Sequence, residues 1–510
     1  MIDNKMKQRK FGVVLGYANF VVKMVTQLVY VPIMLKMLGQ SEYGVYQLVA
    51  SIIAYLSLLN FGFGGSYLRF YAQCKDDPQK EAKLNGTFLS IFSFFAVLVL
   101  IIGIIISINA QGILGNKLTS DEIALSKILL FILAINMALT FPISVFSSIV
   151  SSREAFIFQK LVELLKNLAN PFLMILILLM GEGSVGIVCV TTILTIIAGI
   201  VNMWYVKEKI KAKFSFKGFD VRLIKEIAAF SFFIFLNSII DQINWNVDKY
   251  LLGRIVGSIA IAVYSVGAQI NTIYVQVSDM TASVMATKVN LIVADEINPL
   301  PKLNEMFRRV GRIQAYIILA IVVGFLMIGK DFIILWAGTD YQEAYYITLL
   351  LIVPAAIPLM QSLGVDIQRA LNKHQIRSVV YTGLSVANIL ISIPLIYKFG
   401  ASGAALGTFI ALLIGNGLVM NIIYARYIGL DVIAFWKNIL PIMLATLIPI
   451  ALGYVMNHLF VNVTWNNLLI KGLIFVFAYL IAEYFIAMNP EERAIITHLF
   501  HSKMKKEHGK

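Results

Sequence analysis

Apolar runs of about 20 residues follow one another along almost the whole chain, each enough to cross about 30 Å of hydrocarbon as a helix. About fourteen such spans can be drawn, at roughly 11–37, 44–70, 84–108, 122–150, 158–180, 185–206, 226–252, 256–287, 313–337, 343–365, 378–397, 403–426, 438–459 and 468–488. The pattern predicts an all-α membrane protein. Polar residues interrupt these spans in register. Span 1 carries Asn19, Lys23, Thr26 and Tyr30, spaced 4-3-4, and span 7 repeats that spacing with Asn237, Asp241, Asn244 and Asp248. At about 100° per residue, each set of four side chains shares one narrow helix face. Span 5 adds Gln159, Glu163, Lys166 and Asn170, and span 8 adds Gln269, Thr272, Gln276 and Asp279, again on single faces.

The matching stripes point to a duplication. An ungapped offset of 218 brings Gly39 onto Gly257, Val45 onto Val263, Tyr46 onto Tyr264 and Ala50 onto Ala268. It also lays span 1 on span 7 and span 2 on span 8. Phe141-Pro142 resembles Ile357-Pro358 at an offset of 216. Six spans is an even number, so both halves enter the membrane in one orientation, and the repeats are expected to be parallel around a central cavity. The expected organisation is an N-lobe at 1–210 (spans 1–6), a C-lobe at 211–430 (spans 7–12), two added spans at 431–490 and a cytoplasmic tail at 491–510.

Composition agrees with a membrane chain: 59% of residues are hydrophobic and 14% charged, where soluble domains carry about 25% charged residues. The net charge of +14 invites a nucleic-acid reading, but its distribution decides otherwise. Alternating the loops puts about 32 Lys/Arg on the side of both termini and about seven on the other. That asymmetry predicts a multi-pass protein with both termini in the cytoplasm. The heaviest cluster (Lys207, Lys209, Lys211, Lys213, Lys217, Arg222 and Lys225) joins spans 6 and 7 and suits topology and anionic lipid. The first span contains Lys23 and no small-residue cleavage pattern, so it reads as retained. Cys74 in a cytoplasmic loop and Cys189 in span 6 make no disulfide framework.

Few motifs carry soluble chemistry. Gly181-Glu-Gly-Ser-Val-Gly186 has the GxGxxG spacing but no strand before it, and Gly324 to Lys330 lacks the Ser/Thr of a phosphate loop because Asp331 follows. His498, His501 and His508 lie in a hydrophilic tail. No outward loop is long enough for a domain, which weighs against an enzyme; no metal and no cofactor are expected.

Ionisable groups inside spans are costly and mark function. Lys23 lies about 18 Å along the helix from the cytoplasmic end of span 1, with Asp241 at similar depth in span 7. Either the two form an ion pair tying the halves together, or Lys23 binds an anion such as phosphate; both hold if ligand breaks the pair. Asp241, Asp248 and Asp279 are candidates for H⁺ or Na⁺ coupling. Asn19, Thr26, Tyr30, Asn237, Asn244, Gln269 and Gln276 are candidate substrate-binding groups, able to hydrogen-bond a polar ligand, while the stripes of spans 5 and 8 serve interhelical bonding or cavity lining. Arg69 is an interfacial anchor or a contact for a phosphate head group. Pro32, Pro142, Pro171, Pro354, Pro358 and Pro394 suit helices that bend.

The passage Pro32-Ile-Met-Leu-Lys-Met-Leu-Gly-Gln-Ser-Glu-Tyr-Gly-Val-Tyr46, followed by Leu-Leu-Asn-Phe-Gly-Phe-Gly64 and Arg69, resembles the polysaccharide-transporter family. These are the O-antigen type flippases of the multidrug/oligosaccharidyl-lipid/polysaccharide exporter superfamily. Asp248-Lys-Tyr-Leu-Leu-Gly253, Gly257 and Val263-Tyr264 look like the family's pattern at spans 7–8, while Asn60 stands where relatives often have Asp. The resemblance implies two six-helix lobes, alternating access, and a polyprenyl-diphosphate-linked oligosaccharide moved between leaflets of the bacterial cytoplasmic membrane for surface polysaccharide such as O-antigen or capsule. Its implied partners are that glycan, membrane lipids and other polysaccharide assembly proteins. Two rival functions remain: a cation-coupled multidrug exporter of the same superfamily, disfavoured by Lys23 and the added spans, and a membrane-embedded glycan polymerase, which would want an outward catalytic loop.

Overall fold

The computed structural model describes residues 2–60, 63–216, 221–373 and 375–494. Among them no strand forms, and ten helices are long and apolar enough to cross a membrane, or eleven if one bent pair counts as a span. The principal helices are α1 (Ile2–Leu56), α2 (Phe63–Cys74), α3 (Pro78–Ile108), α4 (Ser120–Ser152), α5 (Phe156–Leu179), α6 (Gly183–Tyr205), α7 (Val221–Ile255) and α8 (Ser258–Asp295). They continue as α9 (Leu300–Trp336), α10 (Ala344–Met360), α11 (Ser362–Ala370), α12 (Gln375–Leu412), α13 (Val432–Ala445), α14 (Leu447–Leu459) and α15 (Trp465–Ala482).

Local chemistry sets several boundaries. The Asp77 carboxylate caps α3 by accepting from the Gln79 and Lys80 amides, with Pro78 at the first helical position. Thr119 and Glu122 form a reciprocal capping box at α4. Two long helices are broken inside. Gly39 in α1 (φ 72°) and Gly400 in α12 (φ 58°) leave helical geometry at angles that a Cβ would penalise.

The chain forms two compact units: Met1–Ser265 with Ile393–Ala404, and Val266–Ser392 with Ala405–Lys510. In the first, α1 packs on α5, and α4 packs on both α3 and α6. Phe88, Phe92, Leu129, Leu130 and Ile149 are fully buried there. In the second, α9 is the central post, packed by α10, α13, α14 and α15. Its core includes Phe307 stacked on Phe435 with ring centroids 4.4 Å apart.

Two ion pairs, each of a buried cation with a partly buried carboxylate, tie α9 to α15 and the segment that follows it. Arg312, 5% exposed, donates Nε and Nη2 to the two Glu492 oxygens, both at 2.9 Å, and Nη2 also reaches the Ala487 carbonyl at 2.8 Å. Near the other end of α9, Lys471 Nζ lies 2.6 Å from Asp331 Oδ2. The pairs are separated along the helix by about 28 Å, close to the hydrocarbon thickness. Asp331, which spoils the phosphate-loop string, is thus a structural partner.

Backbone irregularities recur at the offset that aligns the two halves of the sequence. Gly39 and Gly257 both have positive φ. The turn after α4 bonds Arg153, Glu154 and Ala155 amides to the Ile149, Ser151 and Val150 carbonyls. After α11, 218 positions on, Leu371, Asn372 and Lys373 bond Ile367, Arg369 and Gln368 in the same pattern. The π-helical segments Val206–Ile210 and Tyr424–Ile428, each closed by a left-handed residue (Lys211, Gly429), stand 218 apart as well.

Arg312→Ala removes the cationic partner of Glu492, which stays partly exposed and keeps bonds from Tyr316 and the Asn489 amide, and should cost about 1–3 kcal/mol, read as a lower melting temperature in detergent. Burial alone would raise the Glu492 carboxyl, but the Arg312 bonds and the Asn489 amide outweigh it and hold its pKa below the usual range. That contribution is therefore present at neutral pH and lost as pH falls through the lowered folded value. Glu492→Gln should flatten this part of the acid-side loss in a pH series of melts.

Candidate functional site

In the first unit the polar stripes lie opposite apolar, exposed faces. Val14, Val21, Val25 and Val29 of α1 are exposed on one side. Lys23 is also exposed, yet at 100° per residue it points about 170° from the centre of that valine face. Helix α5 repeats the arrangement: Leu161, Leu165, Phe172 and Leu176 are exposed on one side, with Gln159, Glu163, Lys166 and Asn170 opposite. A face of bare Val and Leu suits lipid; a face with lysine does not.

The stripe on α1 divides on closer view. Asn19 is buried, donates to the Lys160 carbonyl at 2.9 Å and accepts from Asn167 Nδ2 at 3.3 Å, so it joins α1 to α5. Thr26 donates to the Val22 carbonyl of its own helix at 2.6 Å, and Tyr30 to Met34 Sδ at 3.2 Å. Lys23 has no ion pair among the described residues. On α5, Lys166 donates to Thr195 at 3.2 Å, Gln159 accepts from Ser151 at 2.9 Å and Lys160 pairs with Glu163 at 2.7 Å. Arg69 is exposed on α2.

On α7 the side chains of Asn237 and Asp241 lie outside the described residues, and Asn244 is half-buried. Asp248 is 2% exposed and accepts from the Tyr264 hydroxyl at 2.6 Å. The adjacent Lys249 donates to Gln47 Oε1 at 3.1 Å, and Gln47 donates in turn to the Tyr43 hydroxyl at 2.9 Å.

The second unit holds a cavity of about 500 Å³ that sequence reasoning missed. Pro354 and Pro358 bring α10 to an end at Gln361, and α11 leaves at 43° to it. The π-helical segment Leu413–Val419 turns Asn416 into the same space. Gln361 and Ser362 line it at the bend, Asp366 and Arg369 from α11, Arg377 and Tyr381 from α12, Asp279 from α8 and Tyr424 from beyond the π segment. Tyr381 donates to Asn416 Oδ1 at 2.6 Å, Gln361 Nε2 to Asn421 Oδ1 at 2.7 Å, and Arg369 sits 3.7 Å from Asp366. The Arg377 guanidinium lies over the Tyr381 ring at 4.7 Å. Two buried donors are unmet, Arg377 Nε and Ser362 Oγ. Of the sequence candidates only Asp279 reaches this cavity; Gln269 and Gln276 are half-buried elsewhere on α8. The available signal was a Pro-Pro bend followed within one turn by Gln-Ser, with two arginines flanking the next turn.

The profile of a family described as polysaccharide biosynthesis protein matches residues 12–286. A Shigella flexneri protein described as a candidate O-antigen transporter is 21% identical over 406 residues, covering 76% of this chain and 91% of that protein. Among solved structures, the lipid II flippase MurJ in an inward closed conformation has a TM-score of 0.71 at 18% identity, covering 93% of this chain and 98% of its own. An inward-facing multidrug resistance transporter of the MATE family, in the MOP superfamily, has a TM-score of 0.63 at 14% identity, covering 82% and 96%.

Asp248→Ala should leave the buried Tyr264 hydroxyl without this acceptor and cost about 1–3 kcal/mol. Asp248→Asn, which keeps a carbonyl oxygen in place, should cost less. Equal melting temperatures for the two variants would show that the bond contributes nothing.

Proposed function

We propose that this chain, which belongs to the polysaccharide biosynthesis protein family, is a flippase that moves a polyprenyl-diphosphate-linked oligosaccharide from the inner to the outer leaflet of the bacterial cytoplasmic membrane. Lys23 carries the reading. It is an exposed cation deep in an apolar span, turned away from the valine face, and an anionic head group is what such a charge can hold without entering lipid. The glycan finds amide and hydroxyl partners on the protein, and its polyprenyl tail stays in the bilayer.

The topology is fourteen spans. Ten candidates become fourteen when α1 and α12 are divided at Gly39 and Gly400, and the bent pair α10–α11 and α7 are added. The recurring turns and π segments support two parallel six-helix repeats. Both termini are cytoplasmic, as the Lys/Arg asymmetry requires. Transport follows alternating access, with Asp241, Asp248 or Asp279 available for H⁺ or Na⁺ coupling. The fold likeness to multidrug exporters keeps a cation-coupled drug exporter as second reading.

Lys23→Ala should abolish glycan export while membrane protein levels hold. Deleting the gene should leave a lipid-linked saccharide facing the cytoplasm. Full export by Lys23→Ala removes Lys23 from the mechanism; raised drug sensitivity without saccharide accumulation favours the exporter.

A further inference from the structure

We infer that the cavity in the second unit is the site that reads the saccharide, and that Arg377 selects a sugar bearing an oxyanion. The inference rests on the flippase reading and adds to it a glycan-recognition site outside the Lys23 stripe.

The lining settles the ligand class. A bare anion would meet two carboxylates, Asp279 and Asp366, while an apolar drug would bury unmet polar groups. A saccharide both donates and accepts: its hydroxyls can give protons to Asp279 and take them from Ser362. Of the two guanidinium groups, Arg369 is partly neutralised by Asp366. Arg377 makes no ion pair within 4 Å among the described residues, though Asp366 is near enough to act on both guanidinium groups, and its Nε–H is buried and unbonded.

Burying such a donor without an acceptor costs free energy, so two on one cavity wall call for a ligand. Stacking on Tyr381 at 4.7 Å fixes the guanidinium plane, leaving its edge for the two parallel bonds that a carboxylate or phosphate accepts. The volume of about 500 Å³ is within the range of small-ligand sites. On the proposed topology the segment joining spans 10 and 11 lies on the cytoplasmic side, where the lipid-linked substrate is loaded.

The oxyanion could be an acidic sugar residue or the diphosphate beside the first sugar. Full-length protein in detergent should be titrated with a glucuronate-containing disaccharide, its neutral glucose counterpart, glucose 1-phosphate and pyrophosphate, following heat release. The expected result is tighter binding of an acidic saccharide than of the neutral one, by tenfold or more, lost in Arg377→Gln and partly kept in Arg377→Lys. Preference for the disaccharide places an acidic residue at Arg377; preference for glucose 1-phosphate places the linking phosphate there. Ser362→Ala should weaken both modestly. Pyrophosphate binding that falls in Arg377→Gln as far as saccharide binding does, or unchanged saccharide affinities in Arg377→Gln, overturns the inference even where glycan export still depends on Lys23. Absence of saccharide accumulation in the deletion strain would instead sink the flippase reading while leaving these affinities intact.

Discussion

Hydrocarbon offers a polar atom nothing to bond, and that one constraint organises this protein. It forces the described chain into helices, whose backbone groups satisfy one another. It then sorts the side chains, because any polar group within a span must find a protein partner, reach water or hold a ligand. Most find partners: Asn19 with α5, Lys166 with Thr195, Asp248 with Tyr264, Lys471 with Asp331. Against that background two cations stand out among the described residues: Lys23, which makes no ion pair, and Arg377, whose buried Nε has no acceptor.

The two cations sit in different kinds of surroundings. Lys23 lies on a regular helix face, opposite valines, and a flexible ammonium there can follow a moving head group. Arg377 is held flat against a tyrosine ring at the wall of a cavity shaped by a proline-ended helix and a π-helical turn. The loose electrostatic capture proposed for Lys23 and the fixed planar recognition proposed for Arg377 are different tasks, and the side-chain chemistry suits each.

Periodicity made much of this visible before any coordinates. The apolar runs marked the helices, and Gly39 aligned with Gly257 because a turn needs a residue without Cβ at both places. The helix face of Asn19, Lys23, Thr26 and Tyr30 was legible too, but not what each would meet. Spacing defines an azimuth and says nothing of the neighbour, so Asn19 reads like Lys23 although α5 buries only the first. The second-unit cavity was hidden for another reason. Its lining comes from five segments between Asp279 and Tyr424, three of them at a bend, a turn or a π segment, where no period holds.

The pairing of Asp331 with Lys471 also bears on how the chain is built. Synthesis delivers the carboxylate 140 residues before the amine that neutralises it, so α9 must wait, with an uncompensated acid near its Trp336 end, until α15 threads in. Ribosomes must have made everything through α15 before that post can settle. A chain stopped short of α15 would keep its acid bare, a mark by which membrane quality control could tell it from a chain that holds α15.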